Sequence, residues 1–283
     1  MALRAATRGS ALARWQTEHV AALLDEDVEL VVVETTGDRR QDVPIHEMGG
    51  TGVFVKEVQA AVLDGRADFA VHSAKDLPAR PTEGLVLAAV PERGDPRDAL
   101  VGARLADLAP GARIGTGSVR RRAQLAALRP DLTFGELRGN IDTRLRKAAD
   151  FDAVVMAAAA LQRLGRESHI AEVLDVDVLV PQVAQGALAV ECRPGDEVRF
   201  AGIEHPPSRR AVDAERAFLA ELGSGCDLPV GAFASVAEDG SLSIEGLLAS
   251  LDGHVVLRAS GFDDGAALAR HLLDDCGGRD LLP

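Results

Sequence analysis

The sequence predicts an α/β protein made of two α/β units and a small C-terminal α+β domain. Strand-like apolar runs alternate with amphipathic helix patterns as far as Met156, and this alternation is typical of βαβ units with a largely parallel sheet. From Val230 onward, three strand-like runs follow one another before a single closing helix pattern. The chain has 283 residues, of which 47% are hydrophobic, and this is enough for two or three packed domains.

The first unit is predicted to contain two helices and two strands in alternation. Ser10 has a side chain that can cap a helix, and apolar residues follow it at helical spacing. A glycine-rich turn, Gly49-Gly50-Thr51-Gly52, precedes the second helix. The predicted elements are a helix at residues 10–24, a strand at 28–34, a helix at 53–63 and a strand at 69–72.

The second unit follows the turn-rich segment 91–96 and repeats the alternation. Its predicted elements are strands at 113–115, 132–137 and 153–156 and helices at 118–128 and 141–149. A strand-like run at 186–193 and an amphipathic helix at 208–222 lead to the C-terminal domain. There we expect strands at 233–237, 242–248 and 255–259 and a closing helix at 264–273.

The charge balance limits the partners that the chain can have. Acidic residues outnumber basic ones, 44 to 31, so the formal net charge is −13, which disfavours nucleic acid binding through the overall field. Only Lys56, Lys75 and Lys147 are lysines, and the other 28 basic residues are arginines. Any anion that the protein recognises must therefore be met by local arginine clusters at short range.

The cysteines indicate neither a disulfide framework nor a zinc site. Cys192, Cys226 and Cys276 are odd in number, far apart and without C-x-x-C spacing. We interpret Cys192, within a strand, and Cys276, near the C-terminus, as small hydrophobic residues. Cys226 lies in a loop of glycines, Gly223-Ser-Gly-Cys226, which suits covalent attachment of a group.

The sequence also predicts a cellular location. No apolar run is long enough to span a membrane, and Arg4 and Arg8 lie where a signal peptide would need its apolar region. We therefore expect a cytoplasmic protein.

The segment 68–78 ends a buried strand in ionisable residues. His72, Ser73, Lys75 and Asp76 follow an apolar run and are closed off by Pro78. Ligands of open α/β sheets lie beyond the carboxyl ends of the strands, so Asp76 is a candidate catalytic carboxylate. On this segment alone, Asp76 is equally compatible with a turn cap or a pair with Lys75.

Arginine clusters follow two predicted helix starts and point to anion capture. Gly115-Thr-Gly-Ser118 precedes Arg120 and Arg121, and a helix N-terminus attracts anions. We assign a binding role to these two arginines, whereas Arg122 is better explained as part of a solvated helix face. The turn lacks the Gly-Lys-Ser/Thr of a Walker loop, which disfavours nucleotides. The second cluster is Arg138, Arg144 and Arg146 around Gly139-Asn140.

Taken in order, these motifs resemble the porphobilinogen deaminase family, also called hydroxymethylbilane synthases, of tetrapyrrole and heme biosynthesis. The resemblance covers nearly the whole chain. The motifs are Ala6-Thr-Arg-Gly-Ser-Ala-Leu-Ala13 with Gln16, Phe54-Val-Lys-Glu57, Ala70-Val-His-Ser-Ala-Lys-Asp-Leu-Pro78, Asp95-Pro-Arg-Asp-Ala99, Gly115-Thr-Gly-Ser-Val-Arg-Arg121, Leu137-Arg-Gly-Asn140, Gln185-Gly-Ala187 and Gly225-Cys226.

The resemblance implies a transferase that joins four porphobilinogen units into linear hydroxymethylbilane and releases ammonia at each step. It implies a dipyrromethane cofactor, made from the substrate and held by a thioether to Cys226. Asp76 corresponds to the family's catalytic aspartate, which stabilises positive charge on the pyrrole nitrogens. No metal is implied, and the protein would be a monomer.

The resemblance also implies a set of binding residues and a domain division. The cofactor would contact Ser73, Lys75, Asp76, Ser118, Arg120, Arg121, Arg138, Gly139 and Cys226, and the substrate Arg8, Ser10, Lys56, Arg144, Arg163 and Gln185. Domain 1 would comprise residues 1–91 and 187–204, domain 2 residues 96–182 and domain 3 residues 208–283. The two doubly wound α/β domains would enclose a hinged cleft that accommodates the growing product.

The chain departs from the family pattern at Thr51, where lysine is common, at Gly117, where serine is frequent, and at Ala184, where glycine is common. An alternative function is a non-catalytic, two-domain carboxylate-binding protein, because binding proteins share this hinged architecture. That alternative explains the cleft and the arginines, but it does not explain Asp76 together with Cys226.

Overall fold

The computed structural model of the protein describes residues 2–39, 54–223 and 228–282. Thr51 and Cys226 lie outside these ranges. The strands are β1 Leu3–Arg8, β2 Val28–Val33, β3 Phe69–Ser73, β4 Val86–Ala89, β5 Asp98–Val101, β6 Arg113–Gly115, β7 Thr133–Gly135, β8 Ala153–Ala157, β9 Ile170–Leu174, β10 Leu188–Cys192, β11 Val230–Val236, β12 Leu242–Ala249 and β13 Val256–Phe262. The helices are α1 Ala11–Leu24, α2 Thr36–Arg39, α3 Lys56–Leu63, α4 Val119–Leu128, α5 Ile141–Lys147, α6 Ala158–Arg163, α7 Pro206–Glu221 and α8 Gly265–Asp274.

Two five-stranded sheets of matching topology define the two α/β units. The first sheet has the order β2-β1-β3-β10-β4 and the second β7-β6-β8-β5-β9. In each sheet two strand pairings are parallel and two are antiparallel. The expectation of a largely parallel sheet is therefore wrong for half of the pairings, although the α/β class itself is correct.

In each sheet, one strand is antiparallel to both of its neighbours. That strand is the one that follows the point where the chain crosses from one unit to the other. β5 follows the segment 90–97, which leaves the first unit, and β10 follows the segment 175–187, which returns to it. All residues of β5 and β10 are buried. A strand buried on both faces has no alternating pattern that would indicate the direction of its neighbours.

Most of the predicted elements are present with small changes of their bounds. Helix α1 begins after Ser10, whose hydroxyl accepts from the amide of Ala13 at 3.3 Å, as expected of a cap. The predicted strand at 132–137 is reduced to β7. The sequence patterns do not predict β1, β4, β5, β9, α2 or α6, because several of these are only four residues long and α6 follows β8 without a break.

The C-terminal unit is the predicted α+β domain. Its three strands form an antiparallel sheet in the order β11-β12-β13, and α7 and α8 pack against it. The Phe218 ring is fully buried in this core, and its edge would lie only 2.5 Å from a side chain placed at Gly246. Within the described part of the chain, no helix is both long and apolar enough to cross a bilayer.

The two crossing segments touch each other at a pair of glycines. The amide of Gly94 donates to the carbonyl of Gly186 at 3.1 Å. Gly186 has a φ of +88°, and a Cβ atom there would lie 2.5 Å from the carbonyl oxygen of Gly94. Only glycine permits this approach, and the contact joins the two α/β units at the base of the space between them.

Candidate active site

A cavity of about 730 Å³ lies between the two α/β units. The first unit contributes the turn after β1 and the segment after β3, and the second contributes the starts of α4 and α5 and the end of α6. The volume is in the range of small-molecule sites. Its position at the ends of sheet strands is the one expected for a ligand of an α/β protein.

Ionisable side chains that follow β3 line this cavity. The strand ends at Ser73, and a short 3-10 helix, Ala74–Asp76, turns Lys75 and Asp76 into the lining. Gln16 of α1 donates from Nε2 to the Ser73 hydroxyl at 2.8 Å, which fixes that side chain.

The N-termini of two helices line the same cavity. Ser10 caps α1, and Ser118 caps α4 by accepting from the amide of Arg121 at 3.4 Å. Both serines belong to the lining. The free amides of a helix start carry partial positive charge, so these two ends favour an anionic ligand.

Four cations of the lining have no carboxylate partner: Lys75, Arg138, Arg144 and Arg163. Across residues 2–39, 54–223 and 228–282 none of them forms an ion pair. Lys75 Nζ donates to Gln185 Oε1 at 3.2 Å and Arg144 Nε to the Gly139 carbonyl at 2.7 Å. Arg163 Nη2 donates to the Gly186 carbonyl at 2.6 Å. Neutral acceptors provide no close counter-charge, although Asp76 acts electrostatically on Lys75 and Arg144, and Glu136 on Arg138.

Burial lowers the pKa of each of these cations. The pKa of Lys75 falls to about 8, because of burial and then the charge of Arg121. Burial lowers the pKa of Arg144 and of Arg163 to about 10, with Arg121 adding to the effect at Arg144. The pKa of Arg138 is lowered in the same way. A carboxylate ligand would offset the cost of this desolvated positive charge.

Three carboxylates line the cavity, Glu34, Asp76 and Asp142, and within the described residues Asp76 accepts no hydrogen bond and joins no ion pair. Its two alternative roles are therefore not observed: Lys75 bonds Gln185 instead, and the Asp76 side chain caps no helix. The carboxylate is half-buried and open to the cavity. It is available to a cationic centre of a ligand.

Arg120 and Arg121 direct their guanidinium groups to a buried aspartate. Asp98 is fully buried and accepts from Arg120 Nη2 at 2.8 Å and from Arg121 Nη2 at 2.6 Å. Burial alone would raise the pKa of Asp98, but the two adjacent guanidinium groups hold it well below its usual range. Gln185 Nε2 also donates to Asp98, at 2.9 Å. The cluster orders the cavity wall beneath Lys75.

The structure brings most of the predicted site residues together. The predicted residues that line the cavity are Arg8, Ser10, Ser73, Lys75, Asp76, Ser118, Arg120, Arg121, Arg138, Gly139, Arg144 and Arg163. Two others do not line it: Lys56 is exposed outside, and Gln185 is fully buried behind Lys75 and Asp98. Cys226 lies outside the described residues.

Sequence reasoning missed Asp98 and assigned no role to Gln16. The motif containing Asp98 was visible, and a charged residue at the start of an apolar run, Asp98–Val101, is the signal that could have found it.

The other two cysteines differ from each other. Cys192 is buried in β10, where burial raises the pKa of its thiol to about 11, as suits an inert residue. Cys276 is exposed and its sulfur lies 3.6 Å from His271 Nε2, an environment that does not match its interpretation as a small hydrophobic residue.

Two family models match the chain. One, described as "Porphobilinogen deaminase, dipyromethane cofactor binding domain", matches residues 3–200, and the other, "Porphobilinogen deaminase, C-terminal domain", matches residues 210–272. The chain belongs to the porphobilinogen deaminase family. The family, the fold class and the transferase activity predicted from the motifs are thereby confirmed, as is the presence of the dipyrromethane-binding domain. Membership of this family implies that porphobilinogen is the substrate.

Proteins named porphobilinogen deaminase are similar over nearly the whole chain. The one from Thermobifida fusca is 49% identical over 269 residues, 90% of this chain and 84% of that protein. The one from Syntrophus aciditrophicus is 46% identical over 300 residues, 99% of this chain and 97% of that protein. The solved structure of protein PG110 from Staphylococcus aureus is 13% identical, with a TM-score of 0.42 over 71% of this chain and 84% of that chain. That likeness is too distant to support an argument.

The cavity lining fits the dipyrromethane of the porphobilinogen deaminase family. Each ring of that group carries an acetate and a propionate side chain. Lys75, Arg138, Arg144 and Arg163 are desolvated cations without carboxylate partners in the described ranges, and carboxylates are the anions they would pair with. The Asp76 carboxylate, which lines the cavity, suits the pyrrole N–H groups, which are donors.

Proposed function

We propose that this protein synthesises hydroxymethylbilane in the cavity between its two α/β units, with Asp76 as the catalytic carboxylate. The observation that carries the proposal is that, within the described ranges, Asp76 joins no ion pair and the four cations that share its cavity have no carboxylate partner. Substrate side chains would occupy the cations, and the reacting pyrrole would meet Asp76. When bound, the dipyrromethane supplies the pyrrole to which the first substrate unit is joined.

Asp76 would stabilise the positive charge that develops on a substrate pyrrole as ammonia leaves. A fixed carboxylate in a partly desolvated cavity acts more strongly on such a charge than it would in water. Because no protein group in the described ranges occupies it, Asp76 needs no rearrangement before it acts. Its oxygens can also accept and return a proton within hydrogen-bond distance of the substrate.

Lys75, Arg138, Arg144 and Arg163 would hold the acetate and propionate groups. Charge-assisted hydrogen bonds to a desolvated carboxylate contribute roughly 1.5 to 3 kcal/mol each. The substrate residues Arg8 and Ser10 lie at the start of α1, where the helix amides add further donors. Arg120, Arg121 and Gln185 would act mainly by ordering this wall through Asp98, and Lys56 is too exposed to support a direct role.

We assign cofactor attachment to Cys226. The support comes from its glycine loop and from the resemblance, because the residue lies outside the described ranges. Intact-protein mass spectrometry with peptide mapping tests the assignment. The expected result is an added mass of two linked porphobilinogen-derived units on the Cys226 peptide, absent from Cys226→Ser. The same added mass on the Cys192 or Cys276 peptide would overturn it.

The catalytic assignment is tested with Asp76→Asn, which keeps the shape of the side chain and removes its charge. We expect porphobilinogen consumption to fall by at least about a hundredfold, with the protein folded and the cofactor still attached. Asp213→Asn, at an exposed aspartate of α7 that pairs with Arg209, is the matched control and should keep full activity. Turnover near that of the wild type in Asp76→Asn would remove the assigned role.

The carboxylate-binding alternative has a distinct signature. A wild-type protein that binds porphobilinogen reversibly but releases no ammonia, even after reconstitution with porphobilinogen, would favour it. We also propose that the protein works as a cytoplasmic monomer. Size-exclusion chromatography with light scattering and cell fractionation test those two points.

A further inference from the structure

An aromatic pair on α1 contacts a cavity arginine from the other α/β unit. Trp15 and His19 lie one helical turn apart, and their rings stack with centroids 4.9 Å apart and an angle of 10° between the planes. The guanidinium carbon of Arg163 lies 5.7 Å from the centre of the Trp15 ring. This distance is within the range of cation–π attraction.

Arg163 is shared between the cavity and this aromatic pair. It lines the cavity, whereas Trp15 and His19 are not among the described residues that do so. Its Nη2 atom donates to the carbonyl of Gly186, in the segment that returns to the first unit. One guanidinium therefore contacts α1, a crossing segment and the ligand space.

The charge of Arg163 also acts on His19. Burial lowers the pKa of His19, and the positive charge of Arg163 lowers it further. A neutral imidazole can stack on Trp15 without repelling the neighbouring guanidinium. In the part of the chain that the structure describes, no carboxylate pairs with Arg163, and its electron-rich contacts there are the Gly186 carbonyl and the Trp15 ring.

We propose that Trp15, supported by His19, is a positioning residue that holds the Arg163 guanidinium at the cavity wall, ready for a substrate carboxylate. The proposal rests on the proposed function, because it assumes that Arg163 meets a carboxylate of porphobilinogen or of the growing chain. It also makes the contact between α1 and α6 sensitive to occupation of the cavity.

The contact itself can be tested without turnover. Trp15 is the single tryptophan and the chain has no tyrosine, so indole emission reports on this site alone. We expect Arg163→Gln to shift that emission to the red and to increase its quenching by acrylamide, because the ring loses its cover. Arg270→Gln, at a cation of α8 that pairs with Glu221, is the control and should leave the spectrum unchanged.

The imidazole of His19 gives a second readout of the same contact. Removing a positive charge from its vicinity should raise its pKa in Arg163→Gln, as followed by NMR titration of the histidine ring protons. An unchanged emission spectrum together with an unchanged His19 titration would overturn the proposal, whatever the activity of the variant.

Kinetics of the holoenzyme test the positioning role. We expect Trp15→Leu to raise the KM for porphobilinogen by roughly 3- to 10-fold, with a smaller change in kcat, and Trp15→Phe to restore most of the loss. Phe262→Leu, at an aromatic ring that is 77% exposed in the C-terminal unit, is the control. A wild-type KM in Trp15→Leu would overturn the positioning role. A wild-type protein that consumes no porphobilinogen would instead overturn the proposed function.

Discussion

Arg93 and Glu215 form a buried, two-pronged ion pair, with Nη1–Oε1 at 2.6 Å and Nη2–Oε2 at 3.2 Å. Glu215 is fully buried and also accepts from the amides of Ala184 and Ala234, at 2.6 and 2.8 Å. Arg93 belongs to the first crossing segment, Ala184 to the second and Glu215 to α7. The pair therefore anchors the C-terminal unit to both connections between the α/β units.

Removing the Glu215 carboxylate should destabilise the protein far more than removing a surface carboxylate of the same helix. Glu215→Ala leaves the Arg93 guanidinium without its counter-charge and two buried amides without an acceptor, and we expect a loss of about 3 to 5 kcal/mol in the free energy of unfolding. Glu221→Ala, which breaks a partly exposed pair with Arg270, should cost less than about 1 kcal/mol. Urea denaturation measures both. Equal losses would contradict the anchoring role.

The close approach of the crossing segments predicts that alanine substitution at two glycines of positive φ costs different amounts of stability. Gly186 has a φ of +88° and meets the Gly94 carbonyl, whereas Gly165 has a φ of +64° and open space where a Cβ atom would lie. Gly165→Ala should cost about 1 to 2 kcal/mol from backbone strain alone. Gly186→Ala adds a clash with backbone and should cost clearly more. Thermal unfolding of the two variants compares them, and a smaller loss in Gly186→Ala would refute the close contact.

The local chemistry of the chain predicted much of this architecture. The cap at Ser10, the polar residues that follow β3 and the alternation of elements each depend on residues close together in the sequence, so their patterns could be recognised. The ion pairs of Arg120 and Arg121 with Asp98 were not predictable. Asp98 is distant in the sequence and comes close only through the order of strands in the sheet. A helix start rich in arginine attracts an anion, and the sequence cannot tell a ligand from a buried aspartate.

The same limit applies to the strand directions. β5 and β10 are buried on both faces, and their reversal follows from where the chain crosses between the units rather than from their residues. Gln185 illustrates a related case. Its motif was visible, but its position behind Lys75 depends on the meeting of its own segment with those of Lys75 and Asp98.

Lys75 predicts a pH dependence of substrate binding. Its pKa in the folded protein is about 8, below the value of 10.5 for an ordinary lysine. A charged Lys75 is needed to hold a carboxylate, so kcat/KM for porphobilinogen should fall as pH rises through about 8. The unliganded protein should change in the opposite direction, because the unfolded chain holds the proton between pH 8 and 10.5 and the folded protein does not, so stability rises with pH there.

A pH profile of kcat/KM, set beside urea denaturation of the unliganded protein, measures both effects. Lys75→Arg keeps a positive charge that does not titrate in this range, so its profile should lose the limb near pH 8 even if activity is reduced. An unchanged limb in Lys75→Arg would assign the titration to another group.

Asp98 provides the last prediction, because it neutralises two buried cations at once. Asp98→Asn leaves Arg120 and Arg121 without a counter-charge, and we expect a loss of about 3 to 5 kcal/mol in the free energy of unfolding. Asp95→Asn, in the crossing segment just before β5, breaks a pair with the more exposed Arg97 and should cost less. Since Gln185 bonds both Asp98 and Lys75, Asp98→Asn should also lower the fraction of protein that carries the cofactor, as measured by intact mass. A variant as stable and as fully loaded as Asp95→Asn would show that the wall beneath Lys75 does not depend on Asp98.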